Sequence, residues 1–147
     1  MTLNQPQRYL PDTNILIHLG RQSALSQEIA NLYPLAPGDP TPILSSIIVG
    51  EIQAFAQRSK WGQTKRQIVD DFISRCLVVP LEHPGIIEAY VELENYSRTV
   101  GRTTGDHDLW IAATARVMGA TLLTTDKDFD HLSPVYIQRV WINPVTP

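Results

Sequence analysis

Hydrophobic positions along this chain repeat with two alternating periods. Short apolar runs of strand length stand at 8–11, 42–45, 76–79, 120–125 and 135–142. Between them lie stretches in which apolar residues recur at i, i+3, i+4 and i+7, the mark of one helical face. These predict helices over 15–19, 23–33, 47–59, 63–75, 85–100 and 108–119. Gly20, Gly101 and Gly119 read as helix stops, and Ser45 or Ser46 as the cap of the third helix. Pro11 has no N–H, so it fits the end of the first strand. The run from Cys76 to Val79 reads as a strand buried on both faces. Residues 34–42 hold four prolines and Gly38 and read as an exposed connection. Strands alternating with helices predict one α/β domain over 1–147, with a mainly parallel sheet and helices on both faces. Residues 1–7 read as a flexible lead.

Two carboxylates interrupt the apolar stripes. Asp108, Ile111, Ala112 and Ala115 share one helical face, so an acid heads a stripe that should meet the core. Ile48, Glu51, Ile52 and Phe55 do the same on the third helix. A buried, uncompensated charge is very costly. Taken alone, Asp106 or Asp108 is explained as a helix cap, and Glu51 as a glutamate that snorkels or pairs with an arginine.

Composition is that of an ordinary globular domain, with 43% hydrophobic and 18% charged residues. No apolar run reaches the roughly 20 residues of a membrane span, and the first eight residues lack the apolar segment of a secretory signal. One cysteine, Cys76, excludes an internal disulfide and a multi-cysteine metal site. A cytoplasmic location is the simplest expectation. The net charge of −3 argues at first against a nucleic-acid partner. However, if four acids are concentrated at one site, the rest of the surface is nearly neutral, and bound cations would cancel much of the local charge.

Ligands of parallel α/β sheets bind outside the carboxyl ends of the strands. Asp12 follows the first strand and Asp126 follows the strand at 120–125. Glu51 lies one turn into the helix after the second strand, and Asp108 opens another helix. All four can point into one crevice. Carboxylates held together repel unless cations sit between them, and hard divalent ions such as Mg²⁺ or Mn²⁺ take oxygen ligands. A pair of such ions is the usual clamp for phosphodiester hydrolysis.

Four stretches carry a family resemblance. They are Tyr9-Leu10-Pro11-Asp12-Thr13-Asn14-Ile15-Leu16, Ser45-Ser46-Ile47-Ile48-Val49-Gly50-Glu51-Ile52, Asp108-Leu109-Trp110-Ile111-Ala112-Ala113-Thr114-Ala115, and Ala120-Thr121-Leu122-Leu123-Thr124-Thr125-Asp126-Lys127-Asp128-Phe129. In order and spacing they resemble the PIN-domain ribonucleases, specifically the VapC-type toxins of toxin–antitoxin pairs. That resemblance implies a PIN-like three-layer α/β sandwich and a type II toxin acting as a metal-dependent endoribonuclease. It implies Mg²⁺ or Mn²⁺ as cofactor, RNA as substrate (transfer RNA or another structured RNA first), a cognate antitoxin protein and a homodimer. Asp12, Glu51, Asp108 and Asp126 carry over as the catalytic and metal-holding acids. Asn14 and Thr124 carry over as polar residues that orient them. Asp106 either caps its helix or joins the site.

Other residues have two readings. His107 stands beside the site as a potential general base, although two-metal hydrolysis needs none. Asp128 and Asp130 read as solvated turn residues. Arg58, Lys60, Trp61, Lys65 and Arg66 form the densest basic cluster, which would hold phosphates and stack a base or else form a solvated corner between helices. Arg98 and Arg102 are comparable candidates. A second function class is a non-cleaving PIN-like binding module, which the presence of all four acids disfavours. A third is aspartyl-phosphate transfer of the haloacid dehalogenase type. It wants a second aspartate two residues after Asp12, where Asn14 stands.

Overall fold

The computed structural model describes residues 7–145. Except for Gln7, whose side-chain amide donates to Thr121 Oγ1, the flexible lead expected over 1–7 lies outside the described residues.

The elements follow the predicted order: β1 (Tyr9–Pro11), α1 (Thr13–Arg21), α2 (Ala24–Leu32), β2 (Ile43–Ser45), α3 (Ser46–Arg58), α4 (Gln63–Arg75), β3 (Leu77–Val79), α5 (Ile86–Thr99), α6 (Asp106–Met118), β4 (Thr121–Thr124), a 3₁₀ helix (Lys127–Leu132) and β5 (Gln138–Trp141). Every strand pairing is parallel: β1 with β4, β4 with β5, and β2 with β3. The strands form two hydrogen-bonded groups, β1-β4-β5 and β2-β3, and β2 lies beside β1, so the spatial order is β3-β2-β1-β4-β5. Successive side chains of a strand point to opposite faces. Leu122 belongs to the main core with Ile48 and Ile111, whereas Leu123 packs with Ile15, Leu25 and Ile29. The sheet is therefore covered on both faces, with α1 and α2 contributing to one side and α3 and α6 to the other. No helix of the described residues is long and apolar enough to cross a membrane.

Three expectations change. Strand β3 is not buried on both faces: Leu77 and Val78 are exposed and only Val79 is buried. Among the described residues it pairs only with β2, so it is an edge strand with one flank unpaired. The last strand begins at Gln138 and not at 135, because Tyr136 and Ile137 bond back to the Leu132 carbonyl in a turn. Gly20 does not stop α1, which runs on to Arg21. A Cβ at Gly20 would stand 2.6 Å from the Trp61 ring. Glycine is required there for the close approach of the α3–α4 corner, and the helix ends at Gln22 in the left-handed conformation.

Candidate active site

Four elements deliver carboxylates to one place. Asp12 immediately follows β1 and caps α1, with its Oδ1 accepting from the Thr13 N–H at 2.8 Å. It is 5% exposed. Its Oδ2 accepts from the Thr124 hydroxyl at 2.9 Å, across the pairing of β1 with β4. The same Thr124 hydroxyl accepts from the Asp126 N–H at 2.9 Å, so one side chain fixes both acids. Asp126 follows β4 and caps the 3₁₀ helix through the Asp128 N–H. Glu51 comes from the second turn of α3 and Asp108 from the first turn of α6. Asp12, Glu51, Asp108 and Asp126 line a single cleft of about 300 Å³.

Glu51 is held by residues that sequence reasoning did not assign to it. The Thr13 hydroxyl donates to Oε1 at 2.8 Å, and the His107 ring nitrogen Nδ1 bonds Oε2 at 3.2 Å. His107 thus orients a carboxylate from the rim, its side chain 64% exposed. The signal for Thr13 was its place between two motif residues, but its partner is 38 positions away and no local pattern reveals it. The loop leading into α6 is pinned separately, since Ser97 and Thr104 both bond His131 Nε2, at 2.8 and 3.2 Å.

The electrostatics follow from burial and crowding. Burial pushes the Asp12 carboxyl up to about 6, against the Thr13 and Thr124 hydrogen bonds that favour its charged form. Asp108 is pushed up to about 7, first by burial and then by the charges of Asp12, Asp126, Glu51 and Asp128. These are carboxylates lacking compensation at neutral pH. An all-oxygen donor set suits a hard divalent cation, and carboxylate oxygens of Asp108, Asp126 and Asp128 lie within 4.8 Å of one another. The residues present therefore fit a bound divalent metal.

Placement corrects several expectations. Asp128 is a solvated turn residue as expected, yet its carboxylate also lies beside those of Asp108 and Asp126. Asp130 instead pairs with Arg139. Asp106 does not join the cleft; it accepts from the Tyr90 hydroxyl at 2.9 Å, and the cap of α6 is Gly105, without a side-chain bond. Asn14 lines the cleft but donates to Thr125 Oγ1. Of the basic cluster only Arg58 lines the acidic cleft. Arg66 is bonded to the carbonyls of Trp61 and Ala56. Lys65 lies over the Trp61 ring, and Trp61 is 7% exposed, which leaves no face for a base. Arg98 pairs with Glu94 and, with Arg102 and Asp106, lines a separate cleft between α5 and α6.

The sequence model of the PIN domain family matches residues 9–133, a span that contains all four acids. The chain belongs to the PIN domain family. Among characterised proteins it is similar to "Ribonuclease VapC2" of Haemophilus influenzae, 28% identical over 131 residues that cover 85% of this chain and 92% of the relative. It is also 29% identical to "Ribonuclease VapC2" of Rickettsia felis over 132 residues, covering 89% and 96%. The structure of VapBC-1 from nontypeable Haemophilus influenzae superposes with a TM-score of 0.71 at 26% identity, covering 92% of this chain and 98% of that one. VapBC2 from Rickettsia felis, bound to a promoter DNA fragment, gives a TM-score of 0.76 at 23% identity, covering 93% and 100%. This PIN domain accordingly has the parallel sheet and flanking helices of the family fold.

Proposed function

We propose that this PIN domain is a divalent-metal-dependent endoribonuclease, the toxin of a type II toxin–antitoxin pair. The observation that carries the reading is the convergence of Asp12, Glu51, Asp108 and Asp126 in one cleft at the carboxyl ends of parallel strands. Similarity to proteins named Ribonuclease VapC supports the activity, and similarity to a VapBC complex supports an antitoxin partner.

The four acids, with Asp128 beside them, would hold Mg²⁺ or Mn²⁺. When bound, such an ion polarises the phosphodiester and makes an attacking water more acidic. The chain's own residues supply the rest. Thr124 fixes Asp12 and Asp126 relative to each other. Thr13 and His107 fix the two oxygens of Glu51. Burial of Asp12 keeps water from competing for its oxygens. Preorganised carboxylates need no rearrangement during the reaction, which is the main electrostatic advantage of such a site. RNA, in particular transfer RNA or another structured RNA, is the proposed substrate, and a second copy of this chain and a cognate antitoxin are the proposed partners.

The test is incubation of purified protein with total RNA in Mg²⁺, in Mn²⁺ and in chelator. Discrete fragments with metal and none with chelator are expected. RNA left intact by folded protein in both metals would contradict the activity and favour a non-cleaving binding module.

A further inference from the structure

The acidic cleft has a second end of opposite character. Glu51, Phe55 and Arg58 stand at i, i+4 and i+7 on α3, and all three line the cleft. At 1.5 Å per residue the backbone positions of Phe55 and Arg58 stand ~6 Å and ~10 Å beyond that of Glu51 along the helix axis. A carboxylate, an aromatic ring and a cation thus follow one another along a single wall. Ile17 of the adjacent α1 completes the apolar part.

The Phe55 ring is built as a fixed surface. Its neighbours Ile52 and Ala56 are buried, whereas Phe55 is half-exposed. Trp61 packs edge-on against it, with ring centroids 5.6 Å apart at 83°. The Arg21 guanidinium of α1 lies 5.5 Å over the ring centroid. A rigid ring with cations around it is the usual platform for a nucleobase and its phosphates.

Of the cations left without an ion pair among the described residues, Arg58 is the one that lines the acidic cleft. Of 12 lysines and arginines, Arg98, Arg116 and Arg139 are ion-paired, and Arg66 and Arg75 are bonded to backbone carbonyls. Arg58 shares a cleft with four acids, yet among the described residues it forms no salt bridge with any of them. Among the described residues Arg21 forms none either. A polyanionic substrate approaching an acidic site needs cations at its rim; Arg58 lines the cleft, and Arg21 lies next to it over the Phe55 ring.

We infer that the Phe55–Arg58 end of the cleft is a nucleotide subsite, in which a base flanking the cleaved phosphodiester of single-stranded RNA lies against the Phe55 ring and Arg58 holds a neighbouring phosphate. The inference rests on the nuclease reading and assigns to that site its means of gripping the strand. It also makes Phe55, and not the buried Trp61, the aromatic residue that meets the substrate.

The experiment measures equilibrium binding of a fluorescent single-stranded RNA oligonucleotide, with Ca²⁺ as the divalent ion, alongside wild-type cleavage in Mg²⁺. Phe55→Leu keeps the apolar bulk and removes the π face; Phe55→Trp keeps both. Phe55→Leu is expected to weaken binding about tenfold and Phe55→Trp to restore it. Arg58→Ala, at an exposed position, is expected to weaken binding and to lower the slope of log Kd against log salt by about 1. Melting curves identify any variant that fails to fold, and wild-type binding of an oligonucleotide with abasic sites replaces it as the measurement, with the same loss expected. Binding unchanged in Phe55→Leu, or by abasic RNA, overturns the subsite even where wild type cleaves. Absence of wild-type cleavage overturns the nuclease reading, and the binding series then decides the subsite independently.

Discussion

The Thr124 hydroxyl donates to Oδ2 of Asp12 at 2.9 Å across the junction of β1 and β4, where both residues are buried. Because the same oxygen accepts from the Asp126 N–H, this one side chain sets the separation of two acids that are 114 positions apart in sequence. Thr124→Val preserves the volume and removes the donor. It is expected to cost about 2 kcal/mol of stability, the usual penalty for depriving a buried charged group of a hydrogen bond. Activity is expected to fall at least tenfold, while Thr124→Ser retains most of both. Urea unfolding and cleavage rates of the two variants measure this.

Crowding of the acids gives the metal-free protein a distinctive pH profile. Asp12 and Asp108 have folded-state values near 6 and 7 against 3.8 for the unfolded chain. Between about pH 4 and 7 the folded state binds more protons than the unfolded one, so stability declines as pH rises through that window. His18 and His131, both lowered chiefly by burial, act in the opposite direction below their ordinary value. The wild type is therefore compared with Asp108→Asn in chelator. The variant is expected to melt higher than wild type at pH 7 and to show a flatter profile. Identical profiles would mean that the carboxylates are not electrostatically strained.

Metal should reverse that penalty. Mg²⁺ or Mn²⁺ at about 100 times its dissociation constant adds ~2.7 kcal/mol to the native state, so wild type is expected to melt higher in millimolar metal than in chelator. Asp128→Asn is expected to reduce this gain, because its carboxylate lies with those of Asp108 and Asp126. Asp106→Asn is expected to leave it intact, since Asp106 is bonded to Tyr90 outside the cleft. The reverse ranking would reassign the two aspartates.

At Gly20 the prediction concerns the scaffold alone. A Cβ there would lie 2.6 Å from the Trp61 ring, so Gly20→Ala is expected to destabilise the fold by about 1–3 kcal/mol through overpacking. In an unconstrained helix the same change would stabilise. Thermal or urea unfolding distinguishes the two.

How much was legible in the sequence depended on distance along the chain. The alternating periods gave the order of elements and the parallel sheet, since both follow from local patterning. The four acids were legible because each broke a pattern: two stood in apolar stripes and two ended strands. What the acids touch was not legible. The Thr13–Glu51, His107–Glu51 and Thr124–Asp12 bonds join residues that only the fold brings together. Spacing favoured Asp108 over Asp106, because Asp108 shares a face with Ile111, Ala112 and Ala115, but it left open whether Asp106 also joins; the Tyr90 hydroxyl, 16 positions upstream, is what captures Asp106 outside the cleft. Trp61 kept two readings for a related reason: an aromatic among basic residues resembles a surface platform as well as a corner between helices, and the glycine that admits it into the core lies 41 positions upstream. Strand β3 read as fully buried because composition does not distinguish an edge strand from a central one.

The central claim is that Asp12, Glu51, Asp108 and Asp126 jointly form a metal-dependent RNA-cleaving site. Its most direct test is the rate of cleavage of one defined RNA by wild type and by Asp12→Asn, Glu51→Gln, Asp108→Asn and Asp126→Asn, each checked for folding and assayed in Mg²⁺, in Mn²⁺ and in chelator. Metal-dependent cleavage by wild type and at least a hundredfold loss in every variant are expected, with the fold intact. A folded variant that cleaves at the wild-type rate, or wild-type cleavage that persists in chelator, would contradict the claim.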